Sequence, residues 1–149
     1  MSTDTTSTAT TRVTPSAPSQ PAPRQSVWRH GIAAAAVAAV ATTGLAAVAS
    51  AAGVSFADQS GAAIPIAGFA ELTLAFSLVG MLIAAVIARK ARRPRSTFVR
   101  TAIALTALSF VPDLTYGFDA GSAATLIGLH NIAALIVVPT LARCLAHRR

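Results

Sequence analysis

Glu71, Asp113 and His130 are the residues of this chain best placed to do chemistry, because each interrupts a long apolar run. An ionisable side chain in such a run is costly to keep out of water, so it marks a packing contact, an ion path or a catalytic acid or base. Other polar groups gather near them. Thr106, Ser109, Asp113 and Tyr116 follow steps of three, four and three, which places them on one side of a helix. Asn131 adds an amide beside His130. The candidate polar cluster is therefore Glu71, Ser109, Asp113, Tyr116, His130 and Asn131.

Several chemistries are open to this set. A carboxylate beside His130 would favour the imidazolium while burial would oppose it, and an interhelical hydrogen bond from His130 or Asn131 is the plain structural role. A metal site would need ligands at a fixed spacing, and none is present, so neither metal nor cofactor is expected. The motifs GxxxxGK followed by Ser or Thr, GxGxxG, HExxH and GxSxG are all absent. The lone Cys144 cannot close an intrachain disulfide, and there is no CxxC.

Such residues need apolar elements to hold them. Of the 149 residues, 54% are hydrophobic and 11% charged, with a mean hydropathy of +0.62. Soluble domains carry roughly 25% charge, so solvating charge is scarce, while disorder of the whole chain would leave too much apolar surface wet. Four runs qualify as membrane spans: 31–52, 64–88, 101–118 and 125–142, of 22, 25, 18 and 18 residues. At about 1.5 Å per residue they approach or exceed a hydrocarbon core of about 30 Å.

Basic residues set the threading. Arg12, Arg24 and Arg29 precede the first span; Arg89, Lys90, Arg92, Arg93, Arg95 and Arg100 lie between the second and third; Arg143, Arg148 and Arg149 follow the fourth. All 12 Lys and Arg residues thus fall on one side, which the positive-inside rule makes cytoplasmic, together with both termini. The net charge of +7 is therefore a topology signal, and no nucleic-acid partner is expected. Asp58 and Asp119 fall in the two outer loops. Trp28 and Phe98 would flank the inner interface, and Phe56, Tyr116 and Phe118 the outer one.

With that threading, Glu71 lies about 10 Å from the outer end of its span, and Asp113 and His130 about 7 to 8 Å from theirs. Pro112 removes the donor for the carbonyl of Leu108 and predicts a kink just before Asp113. In the second span Thr73, Ser77, Gly80 and Ala84 form a small-residue stripe suited to close packing, and Glu71 points away from it.

Residues 1–27, with seven Thr, five Ser and four Pro, lack apolar periodicity and are expected to be a disordered cytoplasmic tail. Ala49-Ser50-Ala51, behind Arg24 and Arg29, gives the first span a rival reading as a cleaved signal peptide. Its apolar run exceeds the roughly 7 to 15 residues of a usual signal core, so it is read as a span.

Four strings carry a family resemblance: Ile64-Pro65 opening the second span, the basic turn Arg89 to Arg95, Leu108-Ser109-Phe110-Val111-Pro112-Asp113, and the run from His130-Asn131 to Val138-Pro139. The last hundred or so residues resemble a family of small bacterial, mainly actinobacterial, membrane proteins known as domain of unknown function 6069. The resemblance implies four spans and no assigned activity, and its distinctive polar positions would be Ser109, Asp113 and His130.

The expected architecture is all-α: an antiparallel four-helix transmembrane bundle, residues 28–149, behind a disordered N-terminal tail. The expected setting is the plasma membrane, multi-pass, with lipids as partners and a homo-oligomer allowed. Three functions remain open: a non-enzymatic bundle whose polar cluster fixes helix packing, self-associating along the Ala-rich first span and the small face of the second; a proton- or ion-linked carrier working as an oligomer; and an intramembrane enzyme using Glu71 and Asp113 on a lipidic substrate.

Overall fold

The computed structural model describes residues 26–146, so most of the Ser/Thr/Pro-rich tail, with Arg12, Arg24, Arg148 and Arg149, lies outside the described residues. Four helices follow in order: α1 (Ser26–Ala51), α2 (Ile66–Lys90), α3 (Pro94–Thr115) and α4 (Ala120–Ala146). All four are long and apolar enough to cross a membrane. Their 22 to 27 residues correspond to roughly 33 to 40 Å of helix.

Local chemistry sets the ends. After α1, Gly53 at φ +98° and the bonds Gly53 N–H to Ser50 O and Val54 N–H to Ala49 O, each 3.0 Å, form a Schellman stop. Pro65, extended, precedes α2, and Pro94 opens α3, where a missing N–H costs nothing. Charge-free runs define where lipid can sit, whereas caps define where helices begin. Hence α3 starts seven residues before its apolar run, and α4 starts five residues before its own. Arg89, Lys90, Arg95 and Arg100 thereby belong to helix ends and are exposed, leaving only Ala91, Arg92 and Arg93 as the connection. α3 runs on through Pro112 to Thr115.

The packing is inside-out relative to a soluble bundle. The buried face of α1 is Gly31, Ala34, Ala35, Ala38, Ala39, Thr42 and Ala46, all small. Its exposed face carries Ile32, Val37, Val40, Leu45 and Val48. Without a hydrophobic drive between helices in lipid, close backbone approach and interlocking side chains do the holding, and large side chains are left to face the tails. Gly31 shows the closeness: a Cβ there would run into Met81, with Leu141 at 3.3 Å. The small face of α1 is therefore consumed within the bundle. On α2, Ser77 and Ala84 are buried with Met81, and Thr73 is half-buried, but Gly80 has open space around it, so the observed stripe includes Met81 in its place.

Two apolar clusters result. Near the basic turn, Ala38, Met81, Ala84, Phe98, Val137, Leu141, Ala142 and Leu145 draw on all four helices. At the opposite end, here the loop end, Ala46, Phe56, Phe69, Leu126 and Leu129 form the second cluster, in which α3 has no member. Phe98 and Phe56 were expected at lipid interfaces, yet each is buried and plugs a cluster, with Phe56 edge-on to Phe69 at 5.0 Å. Trp28 and Tyr116 are exposed.

Candidate functional site

The α1–α2 loop, residues 52–65, folds over the loop end. Among the described residues the β pairing is one isolated bridge between Ala57 and Ala63. Asp58 closes it: Oδ1 accepts from Ser60 Oγ (2.6 Å), Ser60 N–H (2.8 Å) and Ala62 N–H (3.0 Å). Asp119 caps α4, its Oδ1 accepting from the Gly121 and Ser122 N–H groups at 2.9 and 3.0 Å. Its Oδ2 accepts from Ser122 Oγ at 2.6 Å and from Ser55 Oγ at 3.4 Å. Ser122 Oγ, fully buried, in turn accepts from the Phe56 N–H at 3.1 Å. One carboxylate thus ties the loop to α4. The Ser122 hydroxyl chiefly holds the Asp119 carboxyl below the ordinary carboxylate range, and the Ser60 hydroxyl does the same for Asp58.

Beneath this lid lies a polar layer. The hydroxyls of Thr42 on α1 and Thr73 on α2 are 3.0 Å apart. Thr42 donates to Ala38 O at 2.9 Å, so Thr73 donates to Thr42 in a short relay that ends on a helix carbonyl. Across the bundle, Asp113 on α3 meets His130 on α4, with Oδ2 3.2 Å from Nδ1. That nitrogen also lies 2.9 Å from Leu126 O. A carbonyl can only accept, so Nδ1 carries a hydrogen, directed along its own helix. Asp113 is 6% exposed, and its Oδ2 is buried without a directed hydrogen bond. Phe110 sits edge-on to the imidazole, centroids 6.4 Å apart.

The other members of the expected cluster do not join the pair. Glu71 is exposed on α2 and makes no ion pair or hydrogen bond with Asp113 or His130. Tyr116 falls beyond the end of α3, as its C-cap, and is 67% exposed. Asn131 is exposed and donates to Ile127 O (2.8 Å) of its own helix, and Ser109 donates to Thr106 O (2.7 Å) of its own. Each is satisfied locally, which is the common fate of short polar side chains in helices. Because α4 begins at Ala120, His130 lies ten residues, about 15 Å, along it, deeper than expected, while Asp113 is two residues from the end of α3. Among the described residues no three His, Cys, Asp or Glu side chains group as a metal site.

Sequence reading missed the Thr42–Thr73 relay and the Asp119–Ser122–Phe56 link. The second had a signal: an Asp just before an apolar run is an N-cap. The first had none, since threonines in separate spans carry no register.

A family of unknown function, DUF6069, matches residues 22–147, and the chain belongs to it. No curated protein and no solved structure matches the chain.

Proposed function

We propose that this member of a family of unknown function is a non-enzymatic integral protein of the plasma membrane, an antiparallel bundle with both termini cytoplasmic. In this reading the Asp113–His130 contact fixes α3 against α4. The observation that carries it is the 3.2 Å approach of the two side chains across helices, at the end where α3 adds nothing to the apolar cluster. Support for an opposed order comes from paired contacts: Gly31 lies beside Met81 and Leu141, Thr42 beside Thr73, and Phe56 beside Ser122. Lipids are the proposed partners, since Val40, Phe76, Leu114 and Leu135 stand at least two-thirds exposed on the outer faces. A homo-oligomer would use these outer faces.

An acid–base enzyme would need Glu71 and Asp113 at one pocket, and Glu71 stands exposed without a bond to Asp113. The test is thermal unfolding in detergent. Asp113→Asn and His130→Ala should each lower Tm, and together should lower it by less than the sum. Full additivity would sink the reading. Thiol labelling of Ala62→Cys from the outer face checks the threading, and labelling from the cytoplasmic face would reverse it.

A further inference from the structure

Asp113 Oδ2 is the one carboxylate oxygen among the described residues that is buried without a hydrogen-bond donor. The side chain carrying it is 8% exposed, against 36% for His130. A buried ionised carboxylate with no directed donor is strongly disfavoured, more so than the orphaned hydroxyl of Thr43. Something must supply the missing partner. Oδ2 is enclosed, so solvent does not touch it in this arrangement.

We propose that Asp113 and His130 form a binding site for one exchangeable proton, and that this proton latches the loop-end half of α3 to α4. The proposal rests on the packing role given above and adds its regulation. Nδ1–H is committed to Leu126 O. The extra proton therefore resides either on Nε2, giving an imidazolium facing the carboxylate, or on Asp113, giving a neutral acid. Either way the pair has no net charge, the state a low-dielectric site favours. Removing the proton leaves a buried anion with an off-line share of one N–H. Adding a second leaves an imidazolium facing a neutral acid. The latch is thus strongest at intermediate pH and weakens on both sides.

Other charges near α3 leave the pair alone. On α2, Glu71 is exposed and bonded to neither member, and Arg89 and Lys90 stand at the far end of the helix. On α3 itself, Arg95 and Arg100 lie in the opening turns, and Tyr116 is exposed beyond the last turn. On α4, Arg143 and Cys144 lie in the last turns. Asp58 and Asp119 are occupied by their own hydroxyl and amide partners. α3 ends within a turn of Asp113, so solvent at the loop end provides a short path for exchange.

The experiment is a Tm profile of the full chain in detergent from about pH 4 to about pH 9, for the parent, Asp113→Asn and His130→Gln. The parent should exceed Asp113→Asn by several degrees at intermediate pH, and that difference should shrink toward both ends. A difference constant with pH overturns the proton site while sparing the packing role. No difference at any pH removes both. Should Asp113→Asn fail to fold, the same comparison with His130→Gln decides.

Discussion

The two halves of α3 are held by different physics. Its first half delivers Phe98 into a cluster shared by all four helices, beside a three-residue connection that keeps α2 close. Its second half contributes nothing to the loop-end cluster and reaches α4 through Asp113, His130 and the edge of Phe110. That cluster includes instead a loop residue, Phe56, fixed by Ser122 and Asp119. One helix is therefore anchored by interlocking contacts at one end and by a polar contact at the other. The first kind of anchor is insensitive to pH, and the second is not.

Breaking the strong half should cost most. Phe98→Ala empties the shared cluster and should lower unfolding stability by about 3 kcal/mol, read by denaturant titration in detergent. Next is the lid. Ser122→Ala strands the buried Phe56 N–H, at a cost of about 2 kcal/mol, and should speed proteolysis within residues 52–65 while leaving the basic end protected. Weaker again is the polar half: Asp113→Asn should lose about 1 kcal/mol, the usual scale of hydrogen bonds between membrane helices. Thr73→Val, which removes the α1–α2 relay without changing volume, should lose about 0.6 kcal/mol. The smallest effect sharpens the contrast by pH. Asp58 and Asp119 have carboxyls held below the ordinary value of 3.8, so their contribution is complete above that value and is lost as pH falls through the lower folded-state values. Acid should therefore loosen the loop end below about pH 3.8, seen as faster amide exchange in residues 52–65, before the basic end responds.

Much of this was legible in the chain. Helix number and type follow from apolar runs of known length, because bilayer thickness sets the scale. That Asp113 and His130 need partners was legible, since an ionisable group in lipid seeks one, but which residue each would meet was not. What was not legible depended on register and capping. Asp119 moved the start of α4 upstream by five residues and so changed the depth of His130. Phe56 and Phe98 resemble interfacial aromatics in sequence, and only the fold turns them inward. Glu71, Tyr116 and Asn131 had the right chemistry on the wrong faces or beyond the helix end.

The most direct test measures two distances at once. In a Cys144→Ser background, spin labels at Val111→Cys and Asn131→Cys report the loop end of the α3–α4 contact, and labels at Ser96→Cys and Ala146→Cys report the basic end. Introducing Asp113→Asn should lengthen and broaden the first distance and leave the second unchanged. If both distances move together, or neither moves, α3 is not held at its loop end by the Asp113–His130 contact.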